Sequence, residues 1–183
     1  DIVRETVIDP DTGNTLQVRQ PSAAGGSGSG ADAIRFVYYT AGANSADSAC
    51  GSKPAWDRLV CTQGPGGQPG VAGLPGLVTA RVTDYDAWGR ATETVESVQN
   101  AAGVTQTRAT TTVFDGPGGV ADRPKSVQVI GTVGQAVPKV TYGYHTETGM
   151  PTTITSDGSA GATLAGVLAS EYDDFANPIE FTD

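Results

Sequence analysis

Tyr85-Asp86-Ala87-Trp88-Gly89-Arg90 brings a phenol, a carboxylate, an indole and a guanidinium together in one short stretch. Acid, base and aromatic groups at such spacing are what a small active site would use for proton transfer. The same order also suits a tight reversal between two strands. Asp stands at the first position of a type I turn and Gly at the fourth, where positive φ is wanted. In that role Asp86 accepts backbone N–H bonds inside the turn and Gly89 forms the bulge of a short hairpin loop. Recurrence separates the two readings. Comparable residues return at Asp9-Pro10-Asp11-Thr12-Gly13-Asn14, at Asp115-Gly116-Pro117-Gly118-Gly119, at His145-Thr146-Glu147-Thr148-Gly149 and, more loosely, at Asp173-Asp174-Phe175-Ala176-Asn177. A catalytic site has no reason to recur along a chain, whereas a hairpin turn does.

The other residues able to do chemistry are few. His145 is the single histidine, so any Ser-His-Asp or Cys-His arrangement would have to use it, yet it occupies the turn position that Asp takes elsewhere. There is no G-x-S-x-G elbow, P-loop or dinucleotide fingerprint. Asp9 to Gly13 begins like a calcium loop, but its Gly falls one place early for an EF-hand and the twelfth position is Gln20. Two Cys and one His are too few for a zinc site. Trp56 and Trp88 can stack on sugars, although tryptophans in a β-rich chain more often pack or line a surface. No catalytic, cofactor-binding or metal-binding residue is therefore assigned, no cofactor is expected, and the chain is not expected to be an enzyme.

The elements that would carry these turns are short runs of β-formers ending in an aromatic or apolar residue. They are Thr6–Asp9, Phe36–Tyr39, Val82–Asp86, Thr112–Asp115, Thr141–Tyr144 and Ser170–Asp173. With Ile8, Tyr39, Tyr85, Phe114, Tyr144 and Tyr172 as markers, the spacing is about 30 residues except for one interval of about 46, the sign of an internal repeat. The long interval holds both cysteines, and an insertion is expected around 43–76. Each unit has room for two strands and two connections. Second strands are expected at Thr92–Val98, Ser126–Ile130 and Thr152–Thr155, each followed by a looser loop. Val140, Tyr142 and Tyr144 alternate onto one face. Residues 162–172 have helical spacing at Leu164, Val167, Leu168 and Tyr172, but the repeat assigns them to strand. Ala23–Gly30 reads as a flexible loop. Gly64–Val78 parses as Gly-X-Y triplets, too few for collagen, and reads as an extended connector.

Composition agrees with an all-β chain of 183 residues forming a single segment. Thr and Val are frequent, and 25 Gly with 11 Pro supply turns without reaching the level of disorder. A net charge of −9 argues against nucleic acid or an anionic membrane as partner. No run of about 18 apolar residues suggests a membrane-spanning helix, and membrane insertion is not expected. The chain begins at Asp1 without an initiator Met or signal peptide and stops at Asp183 in mid-pattern, so it is expected to be a piece of a longer protein.

Tyr-Asp-x-x-Gly-Arg followed by a β-rich stretch resembles the YD repeat of Rhs (rearrangement hotspot) proteins and teneurins. Tyr85-Asp86-Ala87-Trp88-Gly89-Arg90 matches it fully. Tyr172-Asp173 departs from it at Ala176, where the family has Gly. Ile8-Asp9 and Phe114-Asp115 replace the Tyr, and His145 replaces the Asp after Tyr144. The stretch from Cys50-Gly51-Ser52-Lys53-Pro54-Ala55-Trp56 to Cys61 is similar to an insertion in Rhs proteins of Gram-positive, high-GC bacteria. The resemblance implies consecutive antiparallel hairpins in a curved, spiralling sheet, part of a hollow β-shell that encloses a C-terminal toxin or other cargo. It also implies a secreted or cell-surface location, with neighbouring YD repeats and the cargo as partners. Neither an Rhs core motif nor a toxin domain is recognisable.

Export would favour a Cys50–Cys61 disulfide, contributing about 3 kcal/mol through loop entropy. A reducing compartment would leave two thiols. Ser52 is expected to cap one helical turn through Pro54, Ala55 and Trp56. Two further expectations follow: open sheet edges that favour self-association and, as an alternative function, presentation of Trp56 and Trp88 to surface glycans or a receptor.

Overall fold

The computed structural model describes residues 4–19, 32–68, 75–114, 123–131, 137–146, 149–157, 163–167, 171–172 and 178–180. The Ala23–Gly30 loop, the 115–119 turn and the 173–177 turn lie outside them. So do part of the triplet segment and the Leu168–Ser170 part of the last expected strand.

The chain is all-β. Among the described residues, eleven strands form one open sheet whose spatial order is the order of the sequence: β1 (Glu5–Ile8), β2 (Thr15–Arg19), β3 (Ala33–Tyr38), β4 (Val60–Pro65), β5 (Thr79–Tyr85), β6 (Ala91–Gln99), β7 (Thr105–Phe114), β8 (Pro124–Gly131), β9 (Val140–Tyr144), β10 (Pro151–Asp157) and β11 (Thr163–Val167). β12 (Glu171–Tyr172) and β13 (Pro178–Glu180) pair separately. The registers described are antiparallel. Strand after strand is built of Thr, Val and alternating polar residues, which suit a pleated, half-buried surface. Among the described residues the only helical pieces are two single 3-10 turns, Ser48–Cys50 and Pro54–Trp56, and no helix is long and apolar enough to cross a membrane.

The chain divides into two compact units, Asp1–Arg108 and Ala109–Asp183. In the first, each strand pairs with the one before it, from Glu5↔Arg19 between β1 and β2 to Thr79↔Ser97 between β5 and β6. Its buried core is small: Tyr39, Cys50 and Cys61, with Val37, Trp56 and Tyr85 packed against them. In the second, β9 pairs with β8 through Ser126↔Thr141 and with β10 through Thr155↔Thr141. Tyr142 and Tyr144 stack with ring centres 6.4 Å apart, as their shared face requires, and the Tyr144 hydroxyl donates to the Pro124 carbonyl at 2.7 Å.

One expectation holds and two change. Thr163–Val167 is strand, paired through Thr153↔Val167 and Asp157↔Thr163, so the helical spacing of Leu164 and Val167 is not used. The long interval between markers is not all insertion: β4 lies within it and pairs in order with β3 and β5, leaving the excursion at 39–59. Ser52 is not a cap. Lys53 holds the cap position of the Pro54–Trp56 turn, without a side-chain bond, and Ser52 lies one residue before it with φ +59°, outside the extended region a cap residue usually adopts. The side-chain cap belongs to the other turn, where Asp47 accepts the Ala49 N–H at 3.0 Å.

Candidate functional site

At Asp86–Arg90 the Gly89 N–H donates to the Asp86 carbonyl and the Asp86 N–H to the Arg90 carbonyl, both at 3.0 Å. Gly89 has φ +76°, a conformation open to glycine and strained for other residues. This is a three-residue hairpin loop, a type I turn closed by a glycine bulge. The Asp86 carboxylate organises it. Its Oδ1 accepts the N–H groups of Trp88 and Arg90 at 2.9 Å each, and its Oδ2 accepts the Arg90 Nε–H at 2.6 Å. Burial pushes the Asp86 carboxyl up, but the Arg90 N–H, the Arg90 guanidinium and the Trp88 N–H together outweigh it and hold the group below the usual carboxylate range. The Arg90 guanidinium also lies 4.9 Å from the centre of the Trp88 ring, and Trp88 is 64% exposed.

The same scheme appears at Asn100–Val104, which sequence reasoning missed. The Asn100 N–H donates to the Val104 carbonyl at 3.0 Å and the Gly103 N–H to the Asn100 carbonyl at 2.9 Å. Asn100 Oδ1 accepts the Ala102 and Val104 N–H groups at 3.0 Å, and Gly103 has φ +76°. The connection expected to be loose is therefore a tight turn. The signal was present as Asn-x-x-Gly, without an aromatic residue ahead of it.

Asp9–Asn14 and His145–Met150 form a second class, one residue longer. The Gly13 N–H donates to the Asp9 carbonyl at 2.9 Å and the Asp9 N–H to the Asn14 carbonyl at 2.8 Å. The Gly149 N–H donates to the His145 carbonyl at 2.8 Å and the His145 N–H to the Met150 carbonyl at 2.9 Å. Gly13 and Gly149 have φ +74° and +67°. Asp9 Oδ1 accepts the Asp11 and Thr12 N–H groups at 2.9 and 3.3 Å, with the Asp11 bond the main cause of a lowered Asp9 pKa. Asp115 and Asp173 lie outside the described residues. Tyr172 is in β12, and its side chain also lies outside them.

Tyr85 leads from the turn into the core of the first unit. Tyr39, Trp56 and Tyr85 meet edge to face, with ring centres 5.1 Å apart for Tyr39–Trp56, 5.8 Å for Trp56–Tyr85 and 6.3 Å for Tyr39–Tyr85. The Tyr39 hydroxyl donates to the Val82 carbonyl at 2.6 Å and the Tyr85 hydroxyl to the Val60 carbonyl at 2.7 Å. Cys50 and Cys61 are joined beside these rings, with Cα atoms 5.7 Å apart and no solvent exposure. Arg81, also missed from sequence, directs one nitrogen at both sulfurs, 3.5 Å from Cys50 and 3.3 Å from Cys61, and another at Asp47 Oδ2 at 2.6 Å. That Arg81 bond is the main cause of a lowered Asp47 pKa.

These groups are engaged in ring packing and in bonds to backbone carbonyls. Burial, helped by the neighbouring Tyr39, pushes the Tyr85 phenol up to about 12, so it keeps its proton at neutral pH and donates it to a carbonyl. Trp56 uses its ring against two tyrosines, with Lys53 Nζ 4.8 Å from its centre, whereas Trp88 stands in solvent. Fold and site together define a class: an all-β protein of antiparallel hairpins in series, with one cystine-centred aromatic corner. The sequence matches no family model and no curated protein.

Proposed function

We propose that this chain is a stretch of wall in a YD-repeat shell of the Rhs type, built to enclose a toxin or other cargo polypeptide. The observation that carries the reading is the strand order. Each strand adds to the one before it, and an Asp/Asn-x-x-Gly turn at each end of β6 returns the chain at once. A sheet assembled this way extends by repetition and leaves its edges only at the ends. The same edges would let the isolated chain self-associate. The solvent-free Cys50–Cys61 pair fits a secreted or surface-displayed wall, where a covalent tie persists.

Protease protection in the protein encoded by the whole reading frame tests this. The expected result is further YD repeats around this chain and a C-terminal segment that resists proteinase K within the intact protein but not alone. A frame without further repeats, or a C-terminal segment digested equally in both settings, would sink the proposal.

A further inference from the structure

Cys50 and Cys61 sit on unequal supports. Cys61 belongs to β4, and the next residue, Thr62, pairs with Val37 of β3 on one side and Arg81 of β5 on the other. Cys50 ends a single 3-10 turn on the 39–59 excursion, and a turn of three residues has little stability of its own. Its backbone is nevertheless placed by bonds that do not involve sulfur. The Thr40 N–H donates to the Cys50 carbonyl at 3.0 Å and the Cys50 N–H to the Asp47 carbonyl at 2.9 Å. Asp47 in turn is tied to the sheet by the Arg81 guanidinium.

Arg81 gives this pair its chemistry. Its Nη1, 3.3 Å from the Cys61 sulfur and 3.5 Å from that of Cys50, sets a permanent positive charge beside two sulfurs with no solvent exposure. A cation at that distance favours thiolate over thiol, and the sulfur so favoured leaves more readily in exchange. Among the described residues, the other charged or titratable groups around the pair are few. Asp47 offsets part of the Arg81 charge, Lys53 lies over the Trp56 ring, and the Tyr39 and Tyr85 phenols, pushed up by burial, stay neutral. We propose that Cys50–Cys61 is a reversible thiol–disulfide exchange site for an external dithiol. One thiolate of the dithiol attacks the Cys50 sulfur as the 3-10 turn opens, and the S–S electron pair leaves on Cys61, held as thiolate by Arg81. The second thiol then attacks its partner sulfur in the mixed disulfide and releases Cys50, which takes that thiol's proton. Two electrons pass to the protein, the dithiol becomes a disulfide, its other proton goes to solvent, and the reverse sequence closes the bond. The site is independent of whether the sheet encloses a cargo.

Reduction with dithiothreitol tests it. The reduced chain is expected to keep the circular dichroism of the sheet. One thiolate, followed by its ultraviolet absorbance, is expected to form with a midpoint below the ordinary thiol value of about 8.5. Arg81→Gln should raise that midpoint by about one unit, a tenfold loss of thiolate at a given pH below it. Asp47→Asn keeps a capping residue and removes the opposing charge, so the midpoint should fall, and this variant decides where Arg81→Gln fails to fold. Glutathione, a monothiol that stops at the mixed disulfide, should be found on Cys50 by peptide mass mapping. Unfolding on reduction, a midpoint at or above the ordinary value, or one unmoved by the deciding variant would leave the pair a structural tie and overturn the proposal. Glutathione on Cys61 alone would overturn it as well.

Discussion

Asp86–Arg90 and Asn100–Val104 stand at opposite ends of β6 and close on the same two backbone bonds, each with a glycine at φ +76°. Their surroundings differ. The first turn follows Tyr85, which packs against Tyr39 and Trp56, and its Asp86 holds the Arg90 guanidinium. A Cβ on Gly89 would meet the methyl groups of Leu59 at 3.6 Å. The second turn follows the exposed Gln99, has a neutral Asn100, and ends at Val104, which is 58% exposed. A Cβ on Gly103 would meet nothing within 4 Å. One short motif thus serves two purposes: alone it reverses the chain, and beside the cystine corner it also fastens the hairpin to the sheet.

The most damaging way to break this contrast is to cut the tie beneath the first turn. The double variant Cys50→Ser with Cys61→Ser should lose about 3 kcal/mol in denaturant unfolding. A loss too small to measure would mean that the aromatic rings hold the corner unaided. Next in size, Gly89→Val and Gly103→Val each force a branched residue into left-handed backbone, at about 2 kcal/mol. Gly89→Val should cost more, because its side chain also meets Leu59. In the cystine-free background the difference should shrink. Equal costs in the parent protein would refute the claim that only one turn is fastened.

The smallest expected effect is in the pH dependence. Because the folded-state pKa of Asp86 is depressed, its contribution is present above the unfolded-state value and lost as pH falls through the folded one. Asp86→Asn should therefore flatten the acid limb of stability against pH, though only in part, since Asp9 and Asp47 are lowered in the same direction. Asn100→Asp should add a weaker acid limb, lacking an arginine partner. Unchanged acid limbs in both variants would remove the electrostatic part of the comparison.

What was legible in the sequence follows from the range of the forces involved. Asp86 and Gly89 could be read because each bond of the turn spans four residues or fewer. The extra residue in the Asp9 and His145 loops is likewise visible in where the glycine falls. Asn100 and Gly103 escaped because the repeat was sought through its aromatic marker, and Gln99 stands in that place. Ser52 misled because capping depends on backbone direction, and its φ of +59° places it outside the cap. Tyr39 and Tyr85 were both visible as markers, but nothing local says that their rings meet.

The sequence by itself determined the class of fold and the places where the chain turns back, since β-propensity and turn chemistry act between near neighbours. Tertiary structure alone decided which turn is fastened, that Arg81 bridges the cystine and Asp47, and that Trp56 packs while Trp88 is exposed. Those choices depend on strand register and on residues far apart in the chain, which meet only once the sheet has brought them together.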